Sequence, residues 1–341
     1  IKQTMKALDS FSPVKTAIAA TPPSRSPQTP ACKRFKFRPT AFFHGSPLAC
    51  VIAIGLSLAA LSLQPASAAT QYYKSTTAGN AWTGSFWGSS AAGPFTSAWV
   101  SGSDANFVDN GGTALALTGA NTTFASITAN ESVTVTAGGT LATGGTVASV
   151  TVASGKNFNS QGQALSTAAG TGFIKNGPGI WACANGNAYT GGFTINDGTL
   201  AVGGVNAMGA GGTLTINGGI IRGNSSSARD LTGKYTSITI GGDFTLGSTN
   251  AASNGALTFN HTTAAVPVTL GAANRTITVN SDVTFGAFTV ISGNAGIGIT
   301  KDGTGILNLA GTNTFTGALV IKNGTVNGQN NNRSEEHTSE L

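Results

Sequence analysis

Apolar and polar residues alternate with a period of two in short runs through most of this chain. Val, Ile, Leu or Phe occupies every second position in segments such as 213–218, 237–247 and 275–293. Glycines separate these runs, and a simpler form of the pattern extends over 132–155. Such alternation is typical of strands with one buried face, joined by tight turns. The pattern therefore predicts an all-β protein made of many short strands.

Two segments of the chain are copies of one another. Residues 172–200 align without a gap to residues 298–326, and twelve of the 29 aligned positions are identical. The alternation predicts one inward row of apolar residues in each copy, and the outward positions between these residues are mostly Ala, Asn, Thr and Lys. Glycines lie between the strands, where a positive φ permits a sharp turn. The predicted inward pairs are Trp181/Leu307, Cys183/Leu309, Tyr189/Phe315, Phe193/Leu319, Ile195/Ile321 and Leu200/Val326.

These repeats favour a solenoid, because each short segment needs coils above and below it to complete a core. The copies are 126 residues apart. That offset corresponds to five or six coils of about 20–25 residues, within the range of strand-bearing repeats. We expect a right-handed parallel β-helix over residues 113–332, and a β-sandwich is the alternative.

The first 68 residues have the composition of a secretory signal peptide. Lys and Arg are concentrated before position 40, and an apolar stretch follows at 48–63. Ala66 and Ala68 flank a serine in the small-x-small form of a signal peptidase site. We expect a signal peptide with a long basic n-region at 1–68, cleavage after Ala68, and the Sec export machinery as a partner. A retained anchor is the alternative, although the apolar stretch is shorter than the roughly 20 residues of a membrane span.

Residues 69–112 precede the repeats and are rich in aromatic side chains, among them Trp82, Trp87 and Trp99. The open end of a solenoid exposes apolar core and unpaired strand edges. We therefore expect this region to be an N-terminal cap. Stacking of the tryptophan rings on sugars is the alternative.

The two ends of the sequence have unusual features. The chain begins with Ile1 rather than Met, so we expect either a start at Met5 or a fragment. Residues 333–341, RSEEHTSEL, are highly charged and resemble the in-frame translation of a sequencing adapter. We exclude them from the fold prediction and expect the natural chain to continue beyond Asn332.

The net charge of +6 does not predict a nucleic-acid-binding protein. Nine basic and eight acidic residues lie between positions 69 and 332, so the part expected to fold is nearly neutral. Nucleic-acid binding requires a basic stripe or patch, and the sequence offers none there. With 9% charged residues and 48 glycines, the chain is also too apolar for disorder and too rich in glycine for long helices.

Few residues could carry catalysis or bind a metal. Cys183 aligns with Leu309, so we expect its thiol to fill the core; a nucleophilic pair with a histidine is the alternative. Outside the leader and the tail His261 is the only histidine, and one histidine does not make a zinc site. We expect no metal, no cofactor, no catalytic residue and, after cleavage of the leader, no internal disulfide.

Two polar loops could bind ligands. The first, at 104–110, could offer oxygens to calcium, but its spacing does not match the known calcium loop and we expect a turn. The second, at 229–234, could supply an acid to a sugar-cleaving enzyme, but such enzymes need two carboxylates and we expect a solvated loop. The polar residues are Asp104, Asn106, Asp109 and Asn110 in the first loop, and Arg229, Asp230 and Lys234 in the second.

The two copies resemble the autotransporter-associated β-strand repeat, or passenger-associated transport repeat. That repeat consists of a lysine, a Gly-x-Gly-x-Leu strand, an Asn-Thr-Tyr-Thr-Gly turn and a strand ending in Gly-Thr-Leu. The first copy departs from it at Ala188, in place of the first threonine, and at Cys183, in place of an aliphatic residue. Matching positions are Lys175, Gly177, Gly179, Asn187, Tyr189, Gly191 and Gly198, and again Lys301, Gly303, Gly305, Asn313, Phe315, Gly317 and Gly324.

The resemblance implies a passenger that is secreted or held at the outer membrane of a Gram-negative-type bacterium, with repeats that assist export and folding. It also implies an outer-membrane β-barrel translocator as a partner, which this sequence does not contain. A surface glycan or a host-cell molecule is a possible ligand. We expect a non-enzymatic stalk or adhesin, and a polysaccharide lyase or hydrolase on the same scaffold is the alternative.

Overall fold

The computed structural model describes residues 69–75, 80–136, 138–144, 147–167, 170–183, 186–187 and 189–328. The predicted signal peptide with Ala66 and Ala68, and residues 333–341, lie outside the described residues. The predicted boundaries of the cap and of the β-helix remain predictions.

The described residues form a parallel β-solenoid of about nine turns. They contain thirty short strands and a single 3₁₀ turn, Ala251–Ser253. The first sheet contains, in spatial order, β3 (Trp87–Gly88), β1 (Thr70–Tyr73), β4 (Asp104–Phe107), β7 (Ser126–Ala129), β10 (Ala148–Val152), β13 (Phe173–Asn176), β15 (Phe193–Ile195), β17 (Thr213–Ile216), β20 (Ser237–Ile240), β23 (Val266–Thr269) and β26 (Thr289–Ser292).

A second sheet of the same length faces a different side of the coil. It contains β2 (Asn80–Ala81), β5 (Leu115–Thr118), β8 (Val133–Thr136), β11 (Asn157–Ser160), β14 (Ile180–Cys183), β16 (Thr199–Val202), β18 (Ile220–Gly223), β21 (Phe244–Leu246), β24 (Arg275–Val279), β27 (Ile299–Asp302) and β29 (Leu319–Ile321).

Two smaller sheets complete the wall at different heights. The third sheet contains β6 (Thr122–Phe124), β9 (Thr140–Thr143) and β12 (Ala164–Ser166). The fourth contains β19 (Arg229–Asp230), β22 (Leu257–Phe259), β25 (Val283–Phe285), β28 (Ile306–Leu309) and β30 (Thr325–Gly328).

Parallel pairing of successive coils confirms the predicted β-helix. Among the described strands only β1 and β3 pair antiparallel, so the β-sandwich alternative is wrong. Inward residues stack in register from coil to coil, as Phe173, Phe193 and Leu214 do in the first sheet. Each apolar side chain is thereby covered by its counterparts in the coils above and below, and no coil has a core of its own.

The two copies of the repeat occupy different faces of the solenoid. The first begins in the first sheet with β13, and the second begins in the second sheet with β27. The coil from Phe173 to Phe193 takes 20 residues, whereas that from Ile238 to Val268 takes 30, because the later coils also supply strands to the fourth sheet. The 126-residue offset is therefore not a whole number of coils.

The inward row of the first copy is confirmed, since all six predicted residues are buried. In the second copy Leu307 and Leu309 are buried, but Phe315, Leu319 and Val326 are only half-buried. Ile321 is 37% exposed. The difference arises because no further coil of the described residues covers this last turn.

An aromatic cluster fills the other end. Trp82, Trp87 and Trp99 pack with Tyr73 and Phe107, with ring centroids 4.5–5.6 Å apart. All five rings are buried, so the tryptophans have no exposed face for a sugar. The short strand β3 pairs antiparallel with β1 and occupies the edge of the first sheet. Both features reduce the exposed core and the unpaired strand edge at this end.

Replacing Trp87 with Ala should destabilise the protein by about 3–5 kcal/mol, the usual cost of emptying a large buried aromatic site. Trp87 is fully buried, and its indole N–H donates to the Trp82 carbonyl at 2.6 Å. Chemical denaturation followed by circular dichroism measures the loss. Val100→Ala, at a side chain that is 58% exposed, is the matched control and should leave stability unchanged. Equal stability of both variants would contradict the packing described above.

Candidate functional site

The repeat lysines Lys175 and Lys301 are buried, which the alternation of apolar residues did not indicate. Lys175 lies in β13 on the inward row between Val150 and Ile195 of the adjacent coils, and its side chain is inaccessible to solvent. Its Nζ donates to the carbonyl oxygens of Asn176 at 2.8 Å, Gly177 at 2.6 Å and Asp197 at 3.2 Å. Apolar alternation did not reveal this position, because a polar side chain can occupy an inward position when the backbone supplies its partners.

Lys301 has the same environment in the second copy. It is fully buried, and its Nζ donates to the carbonyl oxygens of Asp302 at 3.0 Å, Gly303 at 2.6 Å and Asn323 at 2.8 Å. An ammonium has three hydrogens to donate, and three carbonyls accept them in each copy. We call this arrangement of Lys175 or Lys301 with its three carbonyls the lysine clamp.

The lysine clamp joins two successive turns of the solenoid. In the first copy two of its carbonyls belong to the turn that follows the lysine, and the third, from Asp197, belongs to the corresponding turn of the next coil. The clamp is complete only when the next coil is in place, because that coil supplies the third acceptor. Without it the buried ammonium would keep an unpaired donor, which is costly. The lysine therefore stabilises the docking of one coil on another.

The charge of Lys175 is retained near neutral pH. Burial lowers the pKa of its ammonium to about 8, and the nearby charge of Asp197 offsets part of that effect. Burial also lowers the pKa of Lys301, with Asp302 acting against it. Both shifts indicate that burial of the ammonium costs free energy, and the hydrogen bonds to the carbonyl oxygens reduce that cost.

Glycines make room for the lysine clamp. A Cβ atom on Gly198 would lie 2.8 Å from Lys175 Nζ, and one on Gly324 would lie 2.6 Å from Lys301 Nζ. Gly177 and Gly303, whose carbonyls accept from the lysines, have φ values of +73° and +79°. Only glycine adopts such a φ readily, so the lysine and its glycines form one structural unit.

The other repeat residues also bond or closely approach neighbouring coils. Cβ atoms on Gly179 and Gly305 would collide with the carbonyls of Ala153 and Ser281 in the preceding coils. The corresponding glycines of the turn bond alike in the two copies: Gly191 N donates to Thr171 O and Gly317 N to Ile297 O, both at 2.9 Å.

Asn187 bridges three coils. Its Oδ1 accepts from Leu165 N at 2.9 Å, and its Nδ2 donates to Ala207 O at 2.6 Å. Asn313 repeats the first of these bonds, because its Oδ1 accepts from Ile291 N at 3.0 Å. Tyr189 is buried beside Asn187, whereas Phe315 is half-buried in the last described turn.

A third buried charge was not found from the sequence. Glu131 is 1% exposed; its Oε1 accepts from Lys156 Nζ at 2.8 Å, and its Oε2 accepts from Gly112 N at 3.1 Å. Burial alone would raise the pKa of Glu131, but Lys156 and the N–H groups of Ser132, Asn110 and Gly112 lower it to about 2. Glu131 thus links the coil before it to the coil after it. The sequence feature that could have indicated this buried charge is Glu131 itself, an isolated acidic residue just before the strand Val133–Thr136.

The residues considered for chemistry are enclosed in the core or bond within ordinary turns. Burial raises the pKa of the Cys183 thiol, so this thiol is neutral and enclosed. Asp230 accepts from the N–H and hydroxyl of Thr232, and Asp109 accepts from Gly111 N, as in ordinary turns. Within the described ranges no three His, Cys, Asp or Glu residues are grouped closely enough to hold a metal ion.

The two basic residues of the second polar loop contact the preceding coil. Arg229 Nε donates to Val202 O at 2.9 Å, and Lys234 Nζ donates to Asn206 Oδ1 at 2.6 Å. No helix in the described part of the chain is long and apolar enough to cross a membrane.

Comparison with known proteins identifies the module that contains the lysine clamp. The family model of the passenger-associated-transport-repeat matches residues 173–202 and 299–327, so the chain carries two such repeats and the predicted resemblance is confirmed. The chain is also 37% identical over 95 residues to the adhesin BmaC autotransporter of Brucella suis biovar 1 (strain 1330). This match covers 28% of the chain and 2% of that relative. No solved structure matches the chain.

Replacing Lys175 with Met should destabilise the protein by about 2–3 kcal/mol, because the side-chain stem remains while three carbonyls lose their charged donor. The free energy of unfolding from urea titration measures the effect. Lys322→Met is the matched control, since Lys322 is exposed in the second copy, and it should change stability little. A Lys175→Met variant as stable as the wild type would show that the clamp contributes nothing.

Acid should weaken the protein through Glu131. Its pKa in the folded chain lies below its ordinary value, so the ionised form stabilises the fold above pH about 4.5 and this contribution is lost as the pH falls towards about 2. Glu131→Gln should be less stable at pH 7 and should show a flatter profile over that interval. Thermal denaturation at stepped pH tests this, with the exposed carboxylate variant Asp230→Asn as the control. Parallel profiles for the wild type and Glu131→Gln would refute it.

Proposed function

We propose that this chain is part of the passenger of an exported bacterial surface protein, and that its two repeats stabilise the solenoid while it folds after export. The observation that carries the proposal is the lysine clamp, present in both matched repeats, which joins one coil to the next. A repeat with this contact suits a chain that must assemble coil by coil.

Folding of a solenoid can proceed by addition of neighbours, because its contacts are mostly between adjacent coils. A newly added coil gains its ladder hydrogen bonds and covers the apolar row of the previous coil. At Lys175 and Lys301 it also supplies the last acceptor to a buried ammonium. These coils should therefore be held more firmly than coils closed by apolar contacts alone, which would oppose backward unfolding during export.

The proposed location is the bacterial surface or the medium outside a Gram-negative cell. Support comes from the matched passenger repeats and from the relative, whose name describes an autotransporter adhesin. Sec machinery and an outer-membrane translocator are the proposed export partners. The role is structural, as a stiff and nearly neutral stalk, with adhesion as its proposed activity.

A polysaccharide lyase or hydrolase is the less favoured function. Hydrolysis of a glycosidic bond commonly needs two carboxylates on either side of it. The Asp230 carboxylate accepts from the N–H and hydroxyl of Thr232 within its own turn, and among the described residues no three His, Cys, Asp or Glu side chains are grouped together. Cleavage of a polyuronate by the wild type, lost in Asp230→Asn, would reverse this preference.

Export provides the test of the proposed role. We expect the double variant Lys175→Met, Lys301→Met to reach the surface of a Gram-negative host in amounts several-fold lower than the wild type, when both are expressed from the native gene. The expected cause is slower or reversible closure of the two repeat coils. Antibody labelling of intact cells, normalised to total protein, measures the surface fraction.

Lys234→Met, Lys322→Met is the matched control, because both lysines lie outside the clamps. It should reach the surface as the wild type does. Wild-type protein confined to the cytoplasm would refute the export role. Equal surface amounts of the clamp variant and the control would refute the role of the repeats in export.

A further inference from the structure

An open groove lies on the outer face of the first sheet, near the aromatic cluster. It has a volume of about 460 Å³, within the usual range of small-molecule sites. We call it the Tyr72 groove. Its lining residues are Tyr72, Ala91, Asn106, Val108, Asp109 and Asn130.

Tyr72 is the outward-facing aromatic residue of this region. Strand β1 alternates, so that Gln71 and Tyr73 are buried while Tyr72 is half-exposed. On the side of β3 its neighbour is Gly88, which carries no side chain. The carbonyl of Pro94 closely approaches the point where a Cβ of Gly88 would lie, so the chain after β3 folds over this strand and Ala91 reaches the groove.

Unused hydrogen-bonding groups surround the ring. Asn130 Nδ2 donates to Asn106 Oδ1 at 3.1 Å, which orients both amides and leaves Asn106 Nδ2 as a donor and Asn130 Oδ1 as an acceptor. Asp109 Oδ1 accepts from Gly111 N at 2.9 Å, which leaves its second carboxylate oxygen as an acceptor. The groove thus offers an aromatic ring, the Asn106 amide nitrogen with two hydrogens to donate, and two oxygens as acceptors.

A ladder of neutral polar side chains continues from the groove along the sheet. Tyr72 and Asn106 are register partners, and Thr128 and Thr151 follow in the next coils. Further along, Asn196 Nδ2 donates to Asn176 Oδ1 at 2.8 Å, and Asn217 repeats this bond to Asn196. Neighbouring strands are about 4.8 Å apart, so the ladder presents a hydroxyl or an amide at that interval.

We infer that the Tyr72 groove binds a neutral oligosaccharide, with one sugar ring on Tyr72 and the following sugars along the ladder. Sugar hydroxyls both donate and accept, as do the amides and hydroxyls of this surface, and the apolar face of a pyranose packs on an aromatic ring. The single charged residue that lines the groove is the acid Asp109, and it would repel the carboxylates of a uronic acid. The inference adds a ligand class to the proposed adhesive role, but it concerns the purified chain and does not depend on export.

Titration of the purified protein tests the inference, with the neutral tetrasaccharides of glucose, N-acetylglucosamine, mannose and galactose as probes and tetragalacturonate as the acidic probe. We expect at least one neutral probe to bind with a dissociation constant below about 10 mM. Tyr72→Ala should weaken it about tenfold, and Tyr72→Phe should retain it, because stacking needs the ring and not the hydroxyl. Calorimetry or saturation-transfer NMR measures binding.

Thr215→Ala, on the same sheet but outside the groove and its ladder, is the control and should bind as the wild type does. Melting curves of all variants establish that they are folded. Failure of all four neutral probes to bind, preference for tetragalacturonate, or unchanged binding by a folded Tyr72→Ala would each overturn the inference. None of these outcomes bears on the export experiment.

Discussion

Coil-on-coil burial is the constraint on which the structure depends. A single turn cannot enclose its own apolar residues, and it has strand edges on both sides. Phe173 is covered because Phe193 lies in register with it, and Phe193 in turn because Leu214 does. Stability is therefore distributed along the axis as contacts between neighbours. At one end of the described solenoid the aromatic cluster packs on the first coils, and at the other end Ile321, in the last described turn, is 37% exposed.

Three buried charged residues add contacts between coils at particular positions. An apolar pair between two coils tolerates small shifts, whereas a buried ammonium requires acceptors at defined positions. Lys175 and Lys301 take theirs from two successive turns, and Glu131 joins the groups of three coils. We expect these residues to favour one register between coils, whereas the apolar column mainly supplies the free energy of docking.

Much of the fold followed from the sequence, because period-two alternation and the alignment of the copies depend on local information. Residues such as Phe193 and Leu200 were correctly placed inside for that reason. The inward position of Lys175 and Lys301 did not follow from the sequence, because their partners are backbone carbonyls, which a sequence does not display. Glu131 was overlooked because its partners lie in other coils. Tyr72 was overlooked because the exposure of its side chain depends on Gly88, its neighbour in a paired strand. The different faces of the two repeats depend on the lengths of the intervening coils, which alternation does not determine.

Complete enclosure of the repeat lysines also affects how the molecule withstands digestion. Trypsin-like enzymes need an extended, accessible segment around a basic residue, and neither Lys175 nor Lys301 is accessible in a closed coil. Few basic residues occur in this part of the chain, so hiding two of them removes a substantial share of its cleavage points. Cleavage at these lysines would mark molecules in which a coil has not closed, and incomplete chains would be removed while finished ones persist.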